Sequence, residues 1–186
     1  MVLRPNLLPY LTPQLTLLSA TVIAEVLTEL TSLSIQIKWP NDILIDNRKM
    51  TGILTEMQAE QDKVQYVIIG IGINVNQKKS ELPEEVRHKA TSLYIETKRE
   101  WDLVTIIQHI LETFERKYER YLEEGFQPVK QTWENYGFRI NEYLEINSGK
   151  ETWQGMFLGI AEDGALLAKR KNGEIEKVYS AEISWF

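Results

Sequence analysis

The segment VQYVIIGIGINV, Val64 to Val75, restricts the fold more than any other stretch. Its β-branched content and strict alternation read as one long strand. Alternate residues of a strand share a face. Tyr66, Ile68, Gly70, Gly72 and Asn74 therefore line one side, and Val67, Ile69, Ile71 and Ile73 the other. The second side is a plain core face. The first passes from bulky to bare and ends in an amide. Glycine weakens a strand interior and often marks the close approach of a ligand or another backbone. Two such glycines beside Asn74 make a shelf for a flat ligand, or else a place of tight packing under a helix, or a bulge. Neither GxxxxGK[ST] nor a GxGxxG that opens a helix is present, so no phosphate loop of known pattern explains them.

Upstream, Ile35 to Trp39 alternates as a strand, Pro40-Asn41-Asp42 interrupts it, and Ile43-Leu44-Ile45 resumes. Asp46-Asn47 is a turn, and Lys49 to Met57 forms the next strand. Polar residues crowd this apolar stretch. Asp42 follows proline at a strand end, a common place for functional side chains. Taken singly, Lys38 and Asp42 are most simply a weak surface pair on a solvated hairpin. Lys49 precedes Gly52 and Leu54; a cation entering a glycine-floored apolar groove suits a carboxylate or phosphate ligand. The alternative is a strand-edge lysine that guards against aggregation. Strict alternation sets Lys49 opposite Gly52 and Leu54, so joint service to one ligand requires a twist or bulge near Thr51.

Helices flank these strands. Thr12-Pro13 starts one, with a hydroxyl cap and an apolar stripe of Leu15, Leu18, Val22 and Val26. Asp102 caps a longer one whose stripe is Leu103, Ile106, Ile110, Phe114, Tyr118 and Tyr121, ended by Gly125. A shorter helix spans Val129 to Tyr136. From Asn141 the pattern changes to short strands separated by Ser148-Gly149, Asp163-Gly164 and Asn172-Gly173, which predict hairpins and a small closed barrel of the SH3-like kind. The division falls near residue 140, giving an α+β domain over 1–139 and a barrel over 140–186.

Composition narrows the function. Net charge is −6, which argues against broad nucleic-acid binding through this chain. There are no cysteines, consistent with a reducing, cytoplasmic setting and incompatible with zinc–thiolate sites. His88 and His109 are too far apart in sequence to point to a histidine metal site. No segment reads as a membrane span of about 20 apolar residues, and the N-terminus does not read as a signal peptide. The run Arg87-His88-Lys89-Ala90-Thr91-Ser92 covers an anionic or purine ligand, or is a solvated loop. Trp101, Trp133 and Trp153 read as core, and no Ser-His-Asp or Cys-His arrangement is present.

Three segments taken together go further. Lys38-Trp39-Pro40-Asn41-Asp42, then Lys49-Met50-Thr51-Gly52-Ile53-Leu54-Thr55-Glu56, then Gly70-Ile71-Gly72-Ile73-Asn74-Val75-Asn76 closely resemble the biotin–protein ligase family, also called biotin–[acetyl-CoA-carboxylase] ligases. The resemblance extends through the whole chain and looks like the Gram-positive type, whose full-length members are often also repressors of the biotin genes. It implies an α+β catalytic domain similar to class II synthetases, with a mixed sheet and flanking helices, followed by the SH3-like barrel. It implies that biotin attacks the α-phosphate of MgATP to give biotinyl-5′-AMP, and that a lysine of the biotin carboxyl carrier protein then takes the biotinyl group. Carried over by motif, Lys49 contacts the biotin carboxylate and the α-phosphate, and Gly52, Leu54, Gly70 and Gly72 form the biotin pocket. Asn74 contacts the adenylate, Lys38 and Asn41 the ATP side, and Arg87, Lys89 and Ala90 border the adenine. Asp42 helps with Mg2+ on the phosphates and orients or deprotonates the incoming lysine. Partnership with a second copy as a homodimer is a family habit. DNA contact in the repressor members is made through an N-terminal domain that this sequence lacks.

One departure counts against full activity. The family's GRGR-type loop precedes an LRP-like segment, and here Leu3-Arg4-Pro5 stands at the very start. The expectation is therefore an N-terminally truncated ligase with impaired binding. The alternatives are a lipoate–protein ligase, which shares the general fold, and a non-catalytic dimerisation or carrier-binding fragment.

Overall fold

The computed structural model describes residues 1–185. Its strands β1 (Val2–Leu3), β2 (Ile35–Lys38), β3 (Asp42–Ile45), β4 (Arg48–Glu60) and β5 (Lys63–Ile73) form one five-stranded sheet in the order β1-β5-β4-β3-β2. Every ladder in it is antiparallel; the parallel part of the expected mixed sheet is confined to isolated bridges of Ile37 with Gly137 and Lys49 with Ala90. The β3–β4 connection is tight because Asp46 and Asn47 both take positive φ, 48° and 60°, which matches the twist of a two-residue hairpin.

Helix α1 (Pro13–Thr31) lies against β2, β3 and β4. Its middle is apolar on most sides, as suits a helix buried over most of its surface, while Glu29 near its end is exposed. The stretch Pro9–Thr31 is long and apolar enough to cross a membrane, which reading the sequence segment by segment did not anticipate, yet 72% of its apolar window is buried inside this fold. Its start also differs from expectation. The Thr12 hydroxyl does not cap the helix but donates to Met57 Sδ at 3.2 Å, because the first turn is held against β4.

Helices α2 (Leu93–Thr97), α3 (Leu103–Glu124) and α4 (Gln127–Tyr136) complete the first part, with α3 and α4 packed on α1. Asp102 caps α3 as its spacing predicts, accepting from Thr105 N at 2.9 Å. Ile106, Ile110, Phe114 and Tyr121 are buried, whereas Leu103 at the head of the expected stripe is 52% exposed. The second sheet, β6 (Tyr143–Asn147), β7 (Thr152–Ile160), β8 (Leu166–Arg170), β9 (Ile175–Val178) and β10 (Glu182–Trp185), is antiparallel in the order β10-β6-β7-β8-β9 and compatible with an SH3-like domain.

The two parts share a continuous core. Trp133 of α4 meets Phe157 of β7 edge-on, with ring centres 6.3 Å apart. Trp39 Nε1 donates to Gly164 O at 3.1 Å, tying the end of β2 to the β7–β8 turn. Gln14 links three elements: its Nε2 donates to Glu162 O at 2.7 Å and its Oε1 accepts from the buried Tyr121 hydroxyl at 2.6 Å. Burial pushes the Tyr121 hydroxyl pKa up to about 12, with the neighbouring Tyr118 adding to the shift.

A raised acid pKa means that the unfolded chain ionises first. The stability from Tyr121 is therefore complete below the ordinary value of 10.0 and is lost as pH rises through about 12. Tyr121→Phe should remove this alkaline component. It should also cost about 1–3 kcal/mol at neutral pH, because Gln14 is left without its donor. Urea unfolding across the alkaline range checks both.

Candidate functional site

The β4–β5 ladder places Gly52 opposite Gly72 and Leu54 opposite Gly70. Their outward face carries no covering helix among the described residues, and Leu54 is 63% exposed. A Cβ added at Gly70 would meet nothing nearer than Leu54 O at 3.8 Å, and one at Gly72 nothing nearer than Gly52 O at 3.9 Å. Tight packing under a helix is thereby excluded as the reason for these glycines. An interior strand glycine costs about 0.5–1 kcal/mol relative to alanine. The fold accepts that cost at adjacent positions without any steric need of its own.

Lys49 reaches this face through a β-bulge. Ile43 pairs with Thr51, but the next residue of β3, Leu44, pairs with Lys49, so Met50 is the extra residue. Met50 and Thr51 are both buried, and the side-chain alternation is reset between them and Lys49. This is the irregularity that the sequence requires if Lys49 is to share a face with Gly52. Lys49 Cε and Nζ each lie 3.3 Å from the place a Gly52 Cβ would occupy, and Asp42 Oδ1 lies 3.8 Å from it. Lys49 Nζ stands 2.6 Å from Asp42 Oδ1, with the lysine side chain 50% and the aspartate 22% exposed. The simplest pairing read from the hairpin, Lys38 with Asp42, is not the one formed. Those residues are cross-strand neighbours, but Lys38 Nζ lies over the Trp185 ring, 5.0 Å from its centre.

A strap from the segment after β5 encloses the bulge. Lys49 N donates to Lys89 O at 2.7 Å, and Thr91 N donates to Lys49 O at 2.9 Å, with Ala90 alongside Lys49. Asn74 N donates to the carbonyl of the bulged Met50 at 3.0 Å, and Asn74 Nδ2 donates to Thr91 O at 3.0 Å. Asp42, Lys49, Gly52, Leu54, Gly70, Gly72, Asn74 and Ala90 thus gather around one edge of the glycine face. Asn41 stands beside them but is committed to β4, with Nδ2 donating to Ile53 O at 2.8 Å. Arg87 is turned away, its guanidinium donating to Leu82 O at 3.1 Å and bracing its own loop. Lys89 contributes its carbonyl and has no ion pair among the described residues.

Two partners are new relative to the sequence reading, Glu96 and Trp185, and Thr91 was read only as part of the run 87–92; Glu96 and Thr91 hold the strap to Arg48, and Trp185 receives Lys38. Thr91 had a faint signal, a polar Thr91-Ser92 pair before a helix that Ser92 caps by accepting from Ile95 N at 3.1 Å, whereas Glu96, inside that helix, had none. Trp185 had none, because its contact joins opposite ends of the chain. For a metal, no group of three His, Asp or Glu side chains converges among the described residues. Asp42 is a single carboxylate facing Lys49. That donor set fits a magnesium ion carried in on phosphate oxygens, and it does not fit an all-protein cage. A hollow of about 990 Å³, lined by Arg4, Glu60 and Lys63 among others, lies at the far end of the β4–β5 hairpin and takes no part in this cluster.

An antiparallel sheet backed by helices thus carries a bare glycine face with one lysine swung onto it. Residues 2–74 match the Biotin/lipoate A/B protein ligase family, and residues 143–185 match the Biotin protein ligase C terminal domain. The chain is 45% identical over 183 residues to the bifunctional ligase/repressor BirA of Bacillus subtilis (strain 168), covering 98% of this chain and 56% of that protein. It is 30% identical over 170 residues to BirA of Escherichia coli (strain K12), covering 91% of this chain and 52% of that protein. The crystal structure of biotin protein ligase from Aquifex aeolicus superposes with a TM-score of 0.83 at 32% identity, over 100% of this chain and 80% of that one. Its complex with biotin and ATP gives 0.83 at 31% identity, over 99% and 75%. The chain belongs to the biotin protein ligase family, and it spans about half the length of the curated relatives it matches.

Gly70→Ala and Gly72→Ala should each leave stability unchanged or raise it by about 0.5–1 kcal/mol, since each removes a strand glycine into open space. Thermal unfolding checks this. A large loss of stability would mean that the glycines serve the fold after all.

Proposed function

We propose that the chain activates biotin with ATP and transfers it to a lysine of a biotin carboxyl carrier protein. The observation that carries this reading is the pair Gly70 and Gly72, bare without steric need, beneath a lysine that a bulge brings to the same face. A flat, largely apolar bicyclic ring suits a glycine floor flanked by Leu54. Its carboxylate end would then lie at Lys49.

In the first step a biotin carboxylate oxygen attacks the α-phosphorus of ATP, the bond from that phosphorus to the bridging oxygen breaks, and pyrophosphate leaves. Lys49 supplies a fixed positive charge where negative charge grows, and does so best in the transition state. Engaging the substrate draws Lys49 from Asp42. Asp42 is then left to orient the carrier lysine or accept its proton as the amine attacks the acyl carbon and AMP departs with the bonding pair. Magnesium entering on the phosphates would neutralise their charge, with Asp42 the carboxylate at hand. Asn74, its Nδ2 engaged by Thr91, offers Oδ1 to the adenylate. Ala90 and Lys89 border the adenine, with Arg87 shaping that loop, and Asn41 holds the adjoining strand. Lys38 reaches the phosphates by leaving Trp185.

The division into a catalytic part over 1–139 and a barrel over 140–186 belongs to the same proposal, as do a cytoplasmic setting and homodimerisation. Repressor activity would need a nucleic-acid-reading segment other than these residues, whose net charge is −6. Binding by this chain alone is expected to be weak, because a ring lying on the exposed Leu54 face stays solvated on its outer side.

Two measurements test the reading. Biotin should raise the melting temperature of the chain more than lipoate does; the reverse order would move the assignment to a lipoate–protein ligase. Lys49→Ala should lower biotinyl-5′-AMP formation by about 10²- to 10³-fold while the protein stays folded. Unchanged formation would remove Lys49 from catalysis, and wild-type rates equal to those of a full-length relative would overturn the expected impairment.

A further inference from the structure

We propose that Glu96 is a positioning residue for Lys49. Its carboxylate ties together the two segments that hold the Lys49 backbone, and so sets where the ammonium stands. Only the kinetic consequence rests on the ligase reading. The Glu96 side chain is 10% exposed. Arg48 Nη2 lies 3.0 Å from its Oε1 and 3.2 Å from its Oε2, and the Thr91 hydroxyl donates to Oε1. Arg48 is the covalent neighbour of Lys49 on β4. Thr91 is the strap residue whose N–H donates to Lys49 O. One carboxylate therefore holds a residue on each side of Lys49, along the strand and across it.

The location explains why a clamp is needed. Met50 is unpaired with β3, so the regular ladder that would fix Lys49 is interrupted one residue away. A bulge of this kind leaves local backbone groups to other partners. The strap replaces the missing ladder, but it comes from a connecting segment and has no sheet of its own. Charge-assisted bonds to a nearly buried carboxylate are about twice as strong as neutral ones, which suits them to hold such a segment. Among the described residues the carboxylate bonds only Arg48 and Thr91, so its influence on the glycine face passes through Lys49.

Glu96→Ala and the shape-conserving Thr91→Val test this by amide hydrogen exchange in the complete chain. The Lys49 and Thr91 amides should exchange about tenfold faster in Glu96→Ala, as expected on losing charged hydrogen bonds. The Phe157 amide, which donates to Glu142 O in the second sheet, should not change. Thr91→Val should show the same pattern to a smaller degree, and it is read alone if Glu96→Ala does not fold. In adenylate formation from biotin and MgATP, Glu96→Ala should lower kcat with the KM for ATP unchanged, the pattern of a displaced transition-state charge. Glu96→Gln, which keeps an acceptor for Thr91, should restore part of the rate. Unaltered exchange at Lys49 and Thr91, equal acceleration at all three amides, or an unaltered kcat would each overturn the positioning role. A wild-type chain that makes no adenylate would count against the ligase reading alone, and the exchange data would still decide the clamp.

Discussion

The contact between the Lys49 ammonium and the Asp42 carboxylate, at 2.6 Å, depends on a single extra residue. Without the bulge at Met50, alternation along β4 would send Lys49 to the face opposite Gly52, away from the glycines. With it, a cation, an anion and bare backbone meet at one strand edge. The remaining architecture supports that meeting. The inward side of the bulge is closed by Met50 and Thr51, its freed carbonyl is taken by Asn74 N, and its open flank is covered by the strap through Lys89 and Thr91.

The exposed pairing of Lys49 and Asp42 adds little to stability, since half-solvated ion pairs contribute roughly 0–1 kcal/mol. Its value lies in placing charge. On the proposed reading, a carboxylate ligand arriving on the shelf would compete with Asp42 for the same ammonium, so that its binding and the release of Asp42 would be one event. The second sheet bears on the same edge. Trp39 is buried and donates to Gly164 O while the preceding Lys38 lies over Trp185, so two neighbouring residues at the end of β2 both contact the C-terminal part.

Much of this was legible in the sequence because it is local. Alternation in Val64–Val75 separated a core face from a bare one, the Asp46-Asn47 and Asp163-Gly164 signals located turns, and Asp102 and Gly125 bounded α3. The need for a bulge beside Gly52 was legible too, as a conflict between alternation and chemistry. Contacts between distant segments were not legible. The Thr12 hydroxyl looked like a cap because sequence cannot show that Met57 would stand within reach of it. Lys38 looked like the partner of Asp42 because Trp185 lies 147 positions further along the chain. Glu96 carried no pattern at all; its role arises only when the loop after β5 folds back along β4.

The most direct test of the account is a crystal structure of this chain with bound biotin. The account predicts the ring system over Gly70 and Gly72, the carboxylate within hydrogen-bond distance of Lys49 Nζ, and Asp42 released from Lys49. Biotin bound on another face, or bound here with the Lys49–Asp42 contact intact and no ligand oxygen at Lys49, would contradict it.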